Sequence, residues 1–347
     1  MNSMIKSISD ANVGSKKVFV RLDFDVPVRN GEIEDDSRLV SGLPTVNYLL
    51  EKNAVVIAAG HIGRPDGIDE KFSTKIIAKW FQKKLLSSKI EITEVEKLKA
   101  FRLNKNFYIL ENLRFDQGEE KNSLEFSQKL ASTAQIYVNE AFGVSHRAHA
   151  SVFGIAKILP SYAGYHLIRE VKILSKTLDN PKRPLTFIIG GAKIETKLPL
   201  ISKMHRFADF VLVGGELAEQ TKILAEEQHA KIAGQKAMLL VADLTKDTLD
   251  ITLNSVKNFE QVIENSETVI WNGPMGFIEE GHDQATLELA KIIDKKKVYK
   301  IIGGGDTIGF LSNKKLLNNY DLVSMGGGAM LEFLSGDKLP GIKALEK

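Results

Sequence analysis

Short runs of β-branched and aromatic residues alternate along the chain with longer stretches in which apolar positions recur at helical spacing. In the first half, the runs at 18–21, 55–59, 107–110 and 135–138 are predicted strands, and helical periodicity occupies 37–53, 73–86 and 123–133. The second half repeats the alternation, with predicted strands at 185–189, 210–213, 237–241, 268–271, 298–302 and 322–324. Such alternation implies parallel sheets covered by helices on both faces. A further helical pattern over 164–178 stops at Asn180-Pro181, because proline cannot continue a helix and restricts the residue before it. It divides the chain roughly in half. The expected architecture is α/β, with two doubly wound, Rossmann-like domains over 1–165 and 166–329 and the helix at 164–178 connecting them.

Composition narrows the function classes. A chain of 347 residues has room for two domains, and 43% hydrophobic with 26% charged residues is the balance of an ordinary globular protein. The net charge of +3 comes from interspersed acids and bases, which gives no support to nucleic acid or an anionic membrane as partner. The absence of cysteine excludes disulfides, thiolate metal sites and a cysteine nucleophile, and suits a reducing compartment. No apolar run has the length of a membrane helix, and the first residues lack the hydrophobic segment of a signal peptide. A soluble, cytoplasmic protein is expected.

The two halves place different residues near their strand ends. The first carries Arg21, Arg38, His61, Arg64, Arg114, His146, Arg147 and His149, and the second carries Gly190-Gly191, Gly214-Gly215, Gly303-Gly304-Gly305 and Gly326-Gly327-Gly328. Ligands of open α/β sheets bind beyond the carboxyl ends of the strands. One half therefore reads as a site for a small, highly anionic molecule and the other as a nucleotide site, with a cleft between them to bring the two together.

The segment from Gly190 to Lys197 follows a strand and opens a helix. Glycine lets the backbone approach a phosphate, a helix N-terminus offers free N–H groups, and Lys193 and Lys197 share one face at i and i+4. A tight turn followed by two solvated lysines is the competing reading, and the spacing is not that of a Walker A loop. Gly303-Gly304-Gly305-Asp306-Thr307 repeats the junction, with Asp306 at the expected N-cap. Asp306 either caps the helix or holds Mg²⁺ beside phosphate oxygens. The dinucleotide fingerprint lacks its third glycine, which leaves hydride transfer without support. Guanidinium forks at Arg64, Arg114 and Arg147 follow three predicted strands and match phosphate or carboxylate bidentately. His146-Arg147-Ala148-His149 matches no strong metal template. No serine–histidine–acid set or paired-carboxylate motif stands out. Phosphoryl transfer to an already ionised carboxylate or phosphate requires none, and relies on positioning and positive charge.

Taken in order, these segments resemble the phosphoglycerate kinase family along the whole chain. The matching pieces are Arg21-Leu22-Asp23-Phe24-Asp25-Val26-Pro27, Arg38, His61-Ile62-Gly63-Arg64-Pro65, Glu111 through Phe115, Ala141-Phe142-Gly143, His146 through His149, Gly190 through Lys197, Trp271-Asn272-Gly273-Pro274, Gly303 through Thr307, and Ser324 through Ala329. The resemblance implies two lobes joined by a helix, with a C-terminal tail of about 330–347 packing back on the first. It implies that Asp23, Phe24, Asp25, Arg38, His61, Ile62, Gly63, Arg64, Arg114 and Arg147 surround 3-phosphoglycerate or 1,3-bisphosphoglycerate. Gly191, Ala192, Lys197, Gly214, Gly215, Asn272, Pro274, Glu279, Gly304, Gly305, Asp306 and Thr307 would hold ADP or ATP, with Glu279 on the ribose and Asp306 positioning Mg²⁺. Arg38, Lys193, Lys197 and the Gly304 and Gly305 amides would stabilise the phosphoryl group in transfer. The chain departs from the family pattern with Asp25 for Asn, Glu140 for Asp, Glu216 within a glycine run, Met325 for Thr, and a shorter stretch over 215–271. Its rival reading, a non-catalytic binding protein of the same family, is disfavoured by the presence of Arg38, Lys193, Lys197 and Asp306.

Overall fold

The computed structural model describes residues 5–86, 89–192, 194–204, 206–228 and 237–346. The chain separates into two compact units, unit 1 formed by Met1–Val171 with Lys338–Lys347 and unit 2 formed by Lys172–Asp337.

In unit 1, β1 (Lys17–Arg21) precedes a short antiparallel hairpin of β2 (Val28–Arg29) and β3 (Glu32–Ile33). β4 (Val55–Ala59), β5 (Glu91–Val95), β6 (Leu98–Asn104), β7 (Phe107–Leu110), β8 (Ile136–Asn139) and β9 (Ser161–Ala163) follow. With β1 they make a seven-stranded sheet in the order β5-β6-β7-β4-β1-β8-β9. Neighbours from β7 to β9 pair in parallel. The helices are α1 (Ser37–Glu51), α2 (Lys75–Lys84), α3 (Leu124–Ser132), α4 (Ile155–Ile158) and α5 (Tyr165–Asp179). Apolar side chains of β1, β4 and β7 meet α1 and α2 in a core where the Phe81 and Phe107 rings pack edge to face at 5.2 Å. The Glu140 carboxylate, buried just beyond β8, accepts N–H bonds from His166 (3.1 Å) and Leu167 (3.2 Å), satisfying donors that the first turn of α5 leaves open. Burial pushes its pKa up to about 7.

β5 and β6 depart from the parallel plan, because they pair antiparallel with each other and β6 pairs antiparallel with β7. Their turn residues Glu96 and Lys97 have φ of 47° and 63°. Two left-handed residues fit a tight hairpin, but the sequence there has none of the Asn or Gly that marks one.

Unit 2 contains β10 (Leu185–Ile189), β11 (Phe210–Val213), β12 (Met238–Val241), β13 (Thr268–Asn272), β14 (Tyr299–Gly303) and β15 (Leu322–Ser324) in one parallel sheet ordered β12-β11-β10-β13-β14-β15. Its helices are α6 (Ile194–Met204), α7 (Leu217–Gln228), α8 (Leu253–Glu264), α9 (Gln284–Lys295), α10 (Gly305–Asn313) and α11 (Gly327–Leu334). Every residue of β10 and β13 is buried, as strands covered on both faces must be. Strand order reverses between β10 and β13, and in unit 1 between β1 and β8. These are the switch points where open α/β sheets take ligands.

The units divide inside α5, at Val171 and Lys172, rather than at residue 165. The returning tail begins at Lys338, so residues 330–337 stay with unit 2, where the buried Met330 and Leu331 on α11 belong to its packing. In unit 1 the tail forms α12 (Pro340–Lys343), and the Gly341 N–H donates to the Ser145 carbonyl at 2.8 Å. A Cβ at Gly341 would stand 3.0 Å from Ser145 Cα, so the close approach requires glycine.

Candidate active site

In unit 1 the loops after β1 and β4 and the start of α1 converge. Asp25 Oδ1 accepts the Gly63 N–H at 2.9 Å, and Arg38, in the first turn of α1, donates through Nη1 to the Asp25 carbonyl at 2.6 Å. The same nitrogen lies 3.6 Å from Asp23 Oδ1 and 3.9 Å from Asp25 Oδ2. His61 Nε2 stands 3.8 Å from Asp25 Oδ2. Arg114, in a short 3-10 turn after β7, donates from Nη1 to the Gly63 carbonyl at 2.5 Å, and its Nε faces Glu120 at 2.9 Å. Asn112 fixes this arrangement by donating its amide to the Ile62 and Phe72 carbonyls. The structure thus brings Asp23, Asp25, Arg38, His61, Gly63 and Arg114 together. Arg147 is half-buried and donates to His146 Nε2 at 3.2 Å, and Arg64 is exposed. The Phe24 and Ile62 side chains are buried in the core, so they position the backbone of these loops.

The electrostatics are one-sided. Burial, then Arg21, Arg114, Arg147 and His149, hold the His61 pKa well below the usual imidazole range. Burial followed by neighbouring cations lowers His146 to about 4 and His149 to about 3. The histidines are therefore neutral at pH 7 and the arginines carry the charge. Burial also lowers the Arg114 pKa, and its Nη2 is buried without a hydrogen-bond partner. An anion would satisfy that donor.

These shifts fix a pH dependence. A histidine whose folded pKa lies below its ordinary 6.5 leaves stability intact above that pH and removes it as pH falls toward the folded value. Glu140, raised to about 7, works in the opposite sense between its ordinary 4.5 and that value. Comparison of one variant with the parent isolates the histidine contribution. His149→Gln is expected to lose less thermal stability than the parent between pH 6.5 and 4.5, and equal losses would contradict the assignment.

Arg21 does not share the loop setting expected of it. It ends β1 fully buried, with Nε on Ser151 Oγ at 2.9 Å and Nη2 on His61 Nδ1 at 2.9 Å. Glu119 and Ser151, which complete this network, escaped the sequence reading because neither sits at a glycine-marked or arginine-marked strand end.

In unit 2, glycines let the strand ends approach one another at the switch point. Gly190 N–H donates to the Asn272 carbonyl at 2.9 Å and Gly191 N–H to the Pro274 carbonyl at 2.8 Å. A Cβ at Gly215 would lie 2.6 Å from Gly191 N, and one at Gly327 would lie 2.7 Å from Gly304 N. Gly214 abuts Met275, where a Cβ would fall 2.6 Å from the sulfur. The buried Asn272 amide donates to the Gly327 carbonyl at 3.1 Å. Lys197 donates to the Gly190 carbonyl, which draws its ammonium to the same strand end. Helices α6, α7, α10 and α11 all begin here, so free N–H groups and positive dipole ends gather beside the sheet.

Asp306 requires a correction. The N-cap of α10 is Gly304, at φ 98°, and Asp306 is an exposed residue of the first turn with no capping bond at the N-cap. The left-handed φ suits glycine, so the helix is capped two residues earlier than expected, within the same junction. Thr307 is buried with an unpartnered Oγ1. Glu279 is exposed on a 3-10 turn (Ile278–Glu280), and Ala192 is exposed after Gly191. Lys193 lies outside the described residues.

Strand ends that gather cations in unit 1 and helix N-termini in unit 2 define a class of α/β protein built for phosphorylated ligands. Comparison with known proteins narrows the class. The family model for phosphoglycerate kinase matches residues 8–236 and 219–337. The chain is 35% identical to the phosphoglycerate kinase of Finegoldia magna, covering 99% of both chains, and 38% identical to the cytosolic phosphoglycerate kinase of Triticum aestivum, covering 99% of this chain and 98% of the relative. It superposes on the structure of phosphoglycerate kinase from Coxiella burnetii with a TM-score of 0.80 at 31% identity, covering 99% of each. The Pyrococcus horikoshii enzyme gives 0.83 at 26% identity, covering 98% of each. The chain belongs to the phosphoglycerate kinase family. Its activity is that of a phosphotransferase with a carboxyl acceptor, the glycolytic step linking 1,3-bisphosphoglycerate and ADP to 3-phosphoglycerate and ATP. The Finegoldia alignment runs over 392 residues against 347 here, so the relative has positions without a counterpart in this chain. The two family segments overlap at 219–236, inside the stretch read as shortened.

Proposed function

We propose that unit 1 binds 3-phosphoglycerate or 1,3-bisphosphoglycerate through Asp23, Asp25, Arg38, His61, Arg64, Arg114 and Arg147, and that unit 2 binds ADP or ATP. The observation that carries the first assignment is the unpartnered Arg114 Nη2, buried among arginines and neutral histidines. The second rests on the helix N-termini and the close-packed glycines of unit 2. Glu279 serves the ribose, and the Gly304 and Gly305 amides serve the phosphates. The protein acts as a cytoplasmic monomer on this reading. No described helix is long and apolar enough to cross a membrane.

The transfer needs no general base, because the attacking atom is a substrate carboxylate or an ADP phosphate oxygen that is already ionised. Arg38, Lys193 and Lys197 supply positive charge, and the amides at the start of α10 supply donors for the equatorial oxygens. The exposed Asp306 carboxylate, free of any capping duty, fits a Mg²⁺ ion that also takes phosphate oxygens. When bound, Mg²⁺ supplies neutralising charge to those oxygens. A coupled assay of ATP formation from 1,3-bisphosphoglycerate and ADP tests the reading. ATP formation lost in Arg38→Ala and Arg114→Ala supports it, whereas tight binding of both ligands without ATP formation would favour a binding protein.

Asp25 carries a directional prediction. Its side chain is 42% exposed and, besides accepting the Gly63 N–H, faces two side-chain donors, Arg38 and His61, in a site for an anion. Like charges ~4 Å apart repel by roughly 1 kcal/mol in water and more where solvent is excluded. Asp25→Asn keeps an acceptor for Gly63 and removes the repulsion. It is expected to tighten 3-phosphoglycerate binding about fivefold with ADP affinity unchanged. Calorimetric titration of both ligands decides, and weaker phosphoglycerate binding would show that the charge serves the site.

A further inference from the structure

Behind the substrate surface of unit 1 lies a buried chain of polar groups that the mechanism does not use. Glu119, Ser151 and Arg21 are each fully buried. Glu119 Oε2 accepts the Ser151 N–H at 3.0 Å and Oε1 accepts the Ser151 hydroxyl at 2.6 Å. Arg21 can only donate, so the 2.9 Å contact from its Nε makes Ser151 Oγ the acceptor. The single hydroxyl proton is then committed to Glu119. Arg21 also donates to the Leu22 carbonyl, and its Nη2 reaches His61 Nδ1 at 2.9 Å. That nitrogen must be unprotonated to accept, which leaves the ring proton on Nε2, the edge facing Asp25 at 3.8 Å.

We propose that Glu119, acting through Ser151 and Arg21, is a positioning residue that fixes His61 as the neutral Nε2–H tautomer and so presents a donor to the bound phosphoglycerate. This rests on the assignment of that ligand to unit 1. Through Ser151 the buried carboxylate adds a third anchor to a guanidinium that also bonds the Leu22 carbonyl and His61. Arg114 and His149 face Glu119, and Arg21, Arg114, Arg147, His149 and Asp25 face His61. The cations on His61 disfavour a second ring proton, in keeping with a single neutral form.

The test uses nitrogen-15 spectra of the histidine rings in the ligand-free protein, together with titration of 3-phosphoglycerate and ADP. In the parent, His61 is expected as the Nε2–H tautomer between about pH 5.5 and 8. Glu119→Gln and Ser151→Ala should each mix the tautomers and weaken 3-phosphoglycerate about tenfold, with ADP affinity within about twofold. Ser151→Thr, which keeps the hydroxyl, should restore both readouts. If Glu119→Gln does not fold, the two Ser151 variants decide. An unchanged His61 signal in Ser151→Ala overturns the relay, and a changed signal with unchanged phosphoglycerate affinity overturns its role in recognition. A parent that shows the expected tautomer yet binds no 3-phosphoglycerate overturns the ligand assignment and leaves the relay standing.

Discussion

Arg38→Ala is expected to lower kcat by ~10²–10³-fold while changing the 3-phosphoglycerate dissociation constant far less. Arg38 leaves α1 at its first turn, and Nη1 is held by the Asp25 carbonyl and the nearby Asp23 carboxylate. Its side chain keeps 29% of its surface exposed, so the guanidinium is positioned without being sealed into the protein. Such a cation assists most where charge develops during transfer, and on the proposed assignment ground-state binding is shared with Arg64, Arg114 and Arg147. Arg38→Lys should recover only part of the loss, because a point charge cannot reproduce the planar fork. Steady-state rates with both substrates saturating, set beside calorimetric affinities, separate the two effects. A near-parental kcat in Arg38→Ala would remove Arg38 from the catalytic set. The same split is expected for Lys193→Ala on sequence grounds.

What the sequence revealed depended on how local each signal was. β10 and β11 coincide with their apolar runs because a strand buried on both faces has no alternative pattern. The glycine clusters were legible for a similar reason, since close backbone approach leaves a residue-type mark. β5 and β6 were not, because the edge strand β5 alternates exposed and half-buried positions, the buried residues of β6 break any strict alternation, and Glu96-Lys97 adopts left-handed angles without a typical turn residue. Arg21 was read with the wrong neighbours. Whether an arginine at a strand end faces a ligand or the interior depends on a partner such as Ser151, distant by 130 positions in the chain. Asp306 was misplaced as the cap by two residues, because the left-handed Gly304 takes the cap itself.

Gly273→Ala should cause the largest loss at the nucleotide site proposed for unit 2. Gly273 has φ 94°, and a Cβ there would lie 2.1 Å from the Gly190 carbonyl oxygen and 2.7 Å from Lys197 Nζ. The oxygen belongs to the end of β10, which is tied to β13 by the Gly190 N–H bond to Asn272, so it cannot withdraw without opening the switch point. Left-handed strain alone costs about 1–3 kcal/mol in a residue with a side chain. Collision with fixed backbone adds about as much again. Gly336→Ala separates the two terms, since Gly336 has φ 84° but a Cβ there would meet nothing within 4 Å. Both variants should lose stability in denaturant titration, Gly273→Ala by roughly twice as much. Only Gly273→Ala should weaken ADP, by at least about tenfold, because only there does the displaced group include Lys197 and the backbone that frames the helix N-termini. Affinity for 3-phosphoglycerate should stay parental in both. If Gly273→Ala binds ADP as well as Gly336→Ala does, close packing at the switch point is not what shapes the nucleotide site.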